Sequence, residues 1–285
     1  MVASDGGARI EDLGPADATG VLPLSIAAGW NQVVADWRFM LGAGRGFGCR
    51  GADGKWQASS LVLPLGDRLA WISMVLVTEA RRRGGVGTGL LKRCIAEVQA
   101  SGAVAGLDAT EQGRPIYLPL GFHDLYRISR WHFDGAKAVT SKAALRPMVS
   151  SDLPAIIAYD CALSGMERPA LLRHLASRQP KAAWVAEAGG RLKGFVLGRE
   201  GRSASSIGPV VADDETTGLA LIAKAASSVP GPFIIDVPDA HAEIRRWLEG
   251  LGAVSPRGYV RMTLGVAPGL SDPSHLFALA GPELG

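Results

Sequence analysis

The pattern of apolar runs, caps and turns that fills the first half of this 285-residue chain is set out again in the second half. Asp17, which caps the first helical run, corresponds to Asp152, and Val77, which ends a β-rich run, corresponds to Ala212; both steps are 135 residues. Two halves related in this way read as copies of one fold. The length agrees, because a domain takes roughly 100–200 residues. The boundary is expected in the polar, small-residue stretch 134–142, which gives domains 1–137 and 138–285.

Within the first copy, a short apolar segment at 10–13, then Pro15-Ala16-Asp17, then an apolar-periodic run to about Met40 predict strand, cap and helix. Residues 47–50 and 58–65, on either side of Asp53-Gly54, predict a hairpin. The run Trp71-Ile72-Ser73-Met74-Val75-Leu76-Val77 has no charge and many β-formers, so it predicts a strand covered on both faces. Leu90, Leu91, Cys94, Ile95 and Val98, with Lys92, Arg93 and Glu97 on the other side, predict an amphipathic helix. In the second copy, Leu145-Arg146-Pro147-Met148 and Ser151-Asp152 mirror the opening. Pro154 falls in the first turn of the next helix, where a missing N–H costs nothing. A hairpin over 181–200 turning at Gly189-Gly190, a central strand at 206–212, a helix at 217–227 and a strand at 233–237 come next. Leu276-Phe277-Ala278-Leu279, in the tail after Pro268, is expected to dock on one of the domains.

Composition removes several classes. With 47% hydrophobic and 20% charged residues the chain can bury a core, unlike a disordered or collagen-like sequence. Lys and Arg exceed Asp and Glu by only 30 to 27, with the signs interspersed, so no nucleic-acid partner is expected. Cys49, Cys94 and Cys161 are too far apart for ligand spacing, and their sparse, odd count suits a reducing compartment. They read as small buried hydrophobes. His123, His132, His174, His241 and His275 show no metal spacing, so no metal is expected. No apolar run nears the roughly 18 residues of a membrane span. Met1-Val2-Ala3-Ser4-Asp5 lacks the basic and apolar regions of a signal peptide, so the expected location is cytoplasmic, with no membrane partner.

The repeat breaks at one place. Thr88-Gly89 corresponds to Thr217-Gly218 at an offset of 129 rather than 135, so the second copy is six residues shorter between strand and helix. At this place the first copy has Arg81-Arg82-Arg83-Gly84-Gly85-Val86-Gly87-Thr88. Glycines at a strand-to-helix turn permit positive φ and close approach of a ligand, and the next helix offers free N–H groups and its positive dipole end. That combination suits phosphate, and three arginines add charge-assisted, bidentate contacts. The alternative is a solvated basic turn. Gly46-Phe47-Gly48-Cys49-Arg50-Gly51 matches G-x-G-x-x-G in letters but precedes a hairpin instead of opening a helix, and the Arg/Gly loop lacks the spacing and Lys of a P-loop.

A strand ending in V-x-V, then R-x-x-G-x-G and an apolar helix, resembles the acetyl-CoA site of the GCN5-related N-acetyltransferases. Val75-Leu76-Val77 and Arg82-Arg83-Gly84-Gly85-Val86-Gly87 carry that resemblance, and Tyr117-Leu118-Pro119-Leu120-Gly121-Phe122 resembles the family's Y-x-x-x-G-F. The resemblance implies an α/β fold: an α+β mixed sheet with flanking helices, in two tandem GNAT-like acyl-CoA N-acyltransferase domains. It also implies central strands that part to admit the pantetheine arm of acetyl-CoA, a co-substrate, and loop amides from Arg83 to Thr88 holding the pyrophosphate. The second copy resembles the same fold with a degraded site, its loop reduced to Asp213-Asp214-Glu215, so one active site per chain is expected.

The reaction the family implies is attack of a neutral amine on the thioester carbonyl, which needs an oxyanion donor and a proton for the leaving thiolate. Tyr117 stands at the family's general-acid position, and a phenol of pKa about 10 can protonate a thiolate of pKa about 8.5. A core tyrosine is the other reading. The oxyanion donor implied is a backbone N–H near Val77. Where relatives commonly have Asn, seven residues before the Tyr, this chain has Thr110, whose hydroxyl replaces one amide hydrogen bond but not two. No carboxylate lies in 71–77; Glu79 and Glu111 flank the site but also read as exposed loop charges, and a water chain is open as the base. Trp30, Trp37 and Phe39 fall where relatives cover the acceptor, and core packing is the competing role. The expected partner is a small-molecule primary amine, with a protein or peptide amine as alternative, in a monomer or homodimer. A CoA-binding regulatory module without turnover is the non-enzyme alternative.

Overall fold

The computed structural model describes residues 9–267 and 269–285; residues 1–8, which include the Met1-Val2-Ala3-Ser4-Asp5 start, and Pro268 lie outside the described residues. By internal contact the chain divides into two compact units, Met1–Leu107 and Asp108–Gly285.

The first unit runs β1 (Glu11–Leu13), a 3-10 turn (Pro15–Asp17), α1 (Ala18–Ala27), α2 (Val34–Ala43), β2 (Arg45–Arg50), β3 (Trp56–Pro64), β4 (Leu69–Val77), a 3-10 turn (Glu79–Arg81), α3 (Val86–Ser101) and β5 (Val104–Thr110), which continues across the division. Strands take the order β1-β2-β3-β4-β5, antiparallel except for the β4/β5 step. The single helix expected up to Met40 is in fact two. Gly29 takes φ +70° and its N–H and that of Trp30 bond back to the carbonyls of Ile26 and Ser25, closing α1 in a left-handed turn. Asp36 then restarts the chain as α2 by accepting from the Val33 N–H at 2.9 Å. Trp37 is fully buried, and its Nε1–H donates to Ser25 Oγ at 3.1 Å, pinning α2 on α1.

β4 is buried along most of its length, as its uncharged sequence predicts. On α3, Val86, Leu90, Leu91, Cys94 and Val98 are buried, each aliphatic side chain contributing about 1.5–3 kcal/mol. Burial pushes the Cys94 thiol up to about 12, so it is an inert apolar group. Midway along β4 the ladder with β3 slips between Ser59 and Leu61, and Met74 adopts φ +53°. A non-glycine residue there costs on the order of 1–3 kcal/mol. The Ser59 hydroxyl donates to the Met74 carbonyl at 2.9 Å and holds this bulge in place.

The second unit continues with α4 (Arg114–Tyr117), a 3-10 turn (Leu118–Leu120), β6 (His123–Phe133), β7 (Ala144–Pro147), a 3-10 turn (Ser150–Asp152), α5 (Leu153–Ser164), α6 (Pro169–Arg178), a 3-10 turn (Pro180–Ala182), β8 (Trp184–Ala188), β9 (Arg191–Glu200), β10 (Ser205–Ala212), α7 (Glu215–Ser228), β11 (Phe233–Pro238), α8 (Ala242–Gly250), β12 (Val254–Leu264) and β13 (Leu276–Ala278). From β7 the succession of strands and α-helices in the first half starts again in the same order through β12, and only the 3-10 turns differ. The strands take the order β12-β6-β11-β10-β9-β8-β7, with β13 on β10. β10 and β11 are parallel, while β6, β7, β8, β9, β12 and β13 pair antiparallel. The tail at 276–279 therefore docks within this unit.

β6 belongs by sequence to the first copy, yet it lies between β11 and β12, strands of the second. The division by contact, after Leu107, is thus a different line from the boundary between copies. Two buried ion pairs secure the exchange. Arg130 on β6 makes a bidentate pair at 2.7 Å with Asp236 on β11, and Arg261 on β12 makes one at 2.9 Å with Asp108 on β5. Each guanidinium also faces a tyrosine of the neighbouring long strand: Arg130 lies 5.3 Å from the ring centre of Tyr259, Arg261 5.5 Å from that of Tyr126. Burial works against the charge on Arg261, but Asp108 and Tyr126 outweigh it and leave the guanidinium holding its proton more tightly than usual.

Candidate active site

The Arg/Gly segment lies where the repeat places it, between the end of β4 and the start of α3. Val75 and Val77 are half-buried and Leu76 is buried, while Arg82, Arg83, Gly84 and Gly85 are exposed. Two residues take left-handed backbone, Arg83 at φ +65° and Gly85 at φ +76°, and Gly85 is the cap of α3 with no side chain on the helix end. The N–H groups of the first turn, from Val86 through Thr88, have no preceding carbonyl in the helix to take them. A Cβ at Gly87 would stand 3.3 Å from Val77 Cγ2, so the glycine lets the helix start close against the strand end. Arg82 folds back, its Nε donating to the Val77 carbonyl at 3.3 Å. The result is an exposed loop backbone, Arg82 to Gly85, leading into a positive helix end whose first amides lack helical partners, with guanidinium groups beside it, an anion cradle.

β4 and β5 pair in parallel over Leu69–Trp71 with Val104–Gly106, three residues at one end of β4. The bulge at Met74 and the loop both lie beyond the end of that short ladder. This agrees with strands that part toward the loop.

Thr110 and Tyr117 fall in the second unit. Thr110 ends β5, and its Oγ1 accepts the Gly113 N–H at 3.1 Å, fixing the turn into α4. Tyr117 closes α4, half-buried, with its ring 6.0 Å from that of Phe122. Gly113 holds the two together: a Cβ there would meet the Tyr117 ring at 3.0 Å and Thr110 Oγ1 at 3.3 Å. Arg114 and Asp124 form a bidentate pair that ties α4 to β6. Glu79 and Glu111 are both exposed. Trp37 belongs to the core, whereas Trp30 and Phe39 are half-buried.

The corresponding place in the second copy is built from carboxylates that are all engaged. Asp214 caps α7, accepting from the Thr217 N–H at 2.8 Å. Asp213 accepts from Lys193 Nζ at 2.7 Å and from the Tyr159 hydroxyl at 2.6 Å. Burial would raise its carboxyl, but those two donors hold it below the usual carboxylate range. Glu215 accepts from the N–H groups of Glu243 and Ile244 and so caps α8. The decoy Gly46–Gly51 segment lies in the β2/β3 hairpin. Sequence reasoning passed over the Ser59 hydroxyl that braces Met74, because a serine in an apolar strand gives no sign of the bulge it meets across the ladder. Among the described residues, no group of three His, Cys, Asp or Glu is arranged to hold a metal ion. No described helix is long and apolar enough to cross a membrane.

Comparison with known proteins agrees with this architecture. Residues 156–278 match the family model of the acetyltransferase (GNAT) domain. No curated protein matches the sequence. Among solved structures, a candidate acetyltransferase from Pyrococcus horikoshii superposes with a TM-score of 0.79 at 19% identity, covering 98% of this chain and 96% of that one. A GCN5-related N-acetyltransferase from Sphaerobacter thermophilus gives 0.66 at 17% identity, covering 92% and 96%. A tandem GNAT protein from the clavulanic acid biosynthesis pathway gives 0.58 at 16%, covering 90% and 99%. The family match lies in the second copy, whereas the phosphate-type loop lies in the first.

Proposed function

We propose that this chain, which has the fold of the GNAT acetyltransferases and a GNAT domain at 156–278, moves an acetyl group from acetyl-CoA to an amine, using the first copy as the catalytic one. The observation that carries the reading is the Arg83–Gly85 turn, two left-handed residues presenting exposed amides at the start of α3 directly after β4. In this reading the amides from Arg83 to Thr88 hold the pyrophosphate, with Arg82 and Arg83 neutralising its charge, and the pantetheine arm lies along β4 from Val75 to Val77. The thioester carbonyl takes a hydrogen bond from a backbone N–H near Val77. A neutral amine attacks that carbonyl and the tetrahedral intermediate expels the thiolate. Tyr117 gives the thiolate its proton, and the proton lost by the acceptor nitrogen passes to water, from which the phenolate regains its own. Thr110 Oγ1, already accepting from the Gly113 N–H, keeps its O–H and one acceptor lone pair to offer the cofactor.

The engaged carboxylates Asp213, Asp214 and Glu215 support one cofactor per chain, because a helix end where Asp214 already takes the Thr217 N–H and two further carboxylates stand beside it has an unfavourable field for phosphate. We assign the acceptor to the small primary amines, and the chain to the cytoplasm as a monomer or homodimer without metal.

Calorimetry with acetyl-CoA tests the reading. Wild type should bind one equivalent, and the Gly85→Asp/Gly87→Asp variant should bind none. Gly84→Asp adds one negative charge where the backbone needs no positive φ and a Cβ would meet only the Arg81 carbonyl at 3.6 Å, so it too should lose binding while melting like wild type. Thiol release against a panel of amines in the same preparations then separates an enzyme from a cofactor-binding module. Equal binding in wild type and variants, or none in wild type, overturns the proposal; two equivalents per chain would overturn the single site.

A further inference from the structure

In both copies the parallel step at the middle of the sheet is short. β4 and β5 pair over Leu69–Trp71 with Val104–Gly106, and β10 and β11 over Ser205–Ile207 with Phe233–Ile235. Beyond Ile207 the side of β10 that faced β11 is taken by a different strand. Val210 pairs with Ala278 and Val211 with Leu276 of β13, while β10's other side keeps its ladder with β9. The Leu279 N–H reaches across to the carbonyl of Asp236 on β11 at 2.9 Å, so the segment joins both parted strands. Immediately before β13, the His275 carbonyl accepts the Ala212 N–H at 3.1 Å.

Several features are fitted to this segment. At Gly208, with φ +144°, a Cβ would lie 1.9 Å from the Leu279 carbonyl oxygen; its counterpart in the first copy, 135 residues earlier, is Ser73. At Gly218, in the first turn of α7, a Cβ would lie 2.6 Å from the Phe277 ring. Phe277 is fully buried and its ring centre is 4.5 Å from that of His241, whose Nε2 lies 3.0 Å from the carbonyls of Pro273 and Leu276. Two buried arginines brace residues 283–285. Arg199 pairs with Glu283, and Arg168, itself paired with Asp160 at 2.9 Å, donates to the Gly285 carbonyl at 2.8 Å. A strand that only covered an edge would need none of these.

We infer that the segment 275–285 is a built-in occupant of the opening between β10 and β11, so that the second copy's counterpart of the cofactor opening is closed by the chain itself and admits no coenzyme arm or other extended ligand. Comparing that opening with a cofactor site rests on the proposed function; its occupancy by the segment does not. An extended ligand entering there would have to break two ladder pairs, the Leu279 bond and the burial of Phe277 before making any contact of its own.

Hydrogen exchange on the full-length protein, with and without saturating acetyl-CoA, tests this. The Leu279 amide should exchange as slowly as those of β10 and β11, and acetyl-CoA should leave it unchanged. Phe277→Ala should speed exchange at 276–279 by ~10-fold or more while leaving α3 as in wild type, because only the local docking is weakened. Exchange at 276–279 as fast as in an exposed loop would overturn the inference. So would faster exchange on adding acetyl-CoA in both wild type and Gly85→Asp/Gly87→Asp, since the second opening would then take the ligand. Failure of wild type to bind acetyl-CoA would refute the functional proposal and leave this exchange profile to decide the occupancy separately.

Discussion

At the scale of single residues, the proposed chemistry concentrates on one oxygen. Tyr117 is half-buried, its ring packs near Phe122, and α4 is fixed to β6 by the Arg114–Asp124 pair. Tyr117→Phe keeps the ring and its packing and removes only the proton. If the phenol protonates the leaving thiolate, kcat should fall by about 10²–10⁴-fold with KM for acetyl-CoA nearly unchanged. Steady-state kinetics of thiol release measure both, and an unchanged kcat would return Tyr117 to a packing role. The place of the loop between a strand and a helix was legible in the sequence, because an uncharged β-rich run precedes it and an amphipathic pattern follows it. The conformation of Arg83 was not, since nothing in an arginine announces φ +65°; the glycines beside it do, and they made the turn readable as a whole.

At the scale of elements, the repeat foretold the order of strands and helices because each copy repeats the periodicities that decide strand or helix. It missed the break at Gly29, where only Asn31 and Gln32 interrupt the apolar residues and the left-handed glycine ends α1. It also left β6 and β12 unassigned, because their charged residues argue against a central strand until their partners, over a hundred residues away, are known. The helix after each central strand shows how one element serves two ends. α3 begins on Gly85 with its amides open, whereas α7 begins on Asp214, whose side chain takes the Thr217 N–H. Asp214→Ala should cost about 1 kcal/mol in urea unfolding, the usual worth of such a cap. The same variant should still bind a single acetyl-CoA by calorimetry, because Glu215 and the segment at 275–279 remain; no measurable loss of stability would mean the cap is not formed in solution.

At the scale of the molecule, the sequence suggests two self-contained copies, but each long last strand depends on the other copy. β6 is flanked on both sides by strands of the second half, and its Arg130 is neutralised by Asp236, while Arg261 of β12 is neutralised by Asp108 from the first half. A fragment cut at the copy boundary would leave β6 with two unpaired edges and a guanidinium with no carboxylate. The Arg261–Asp108 pair has side chains that are 0% exposed, so it tests this dependence most sharply. Removing the cation alone, Arg261→Met, strands a buried carboxylate and should cost about 3–5 kcal/mol, whereas an ion pair replaced at both ends by apolar groups of similar volume is often nearly neutral. Arg261→Met/Asp108→Leu should therefore be more stable than Arg261→Met. Denaturant unfolding of the two single variants and the double variant gives the coupling energy directly. If the costs of Arg261→Met and Asp108→Leu simply add in the double variant, the two side chains are not coupled. The cost would then lie in packing, and the ion pairs would not be what holds the exchanged strands in register.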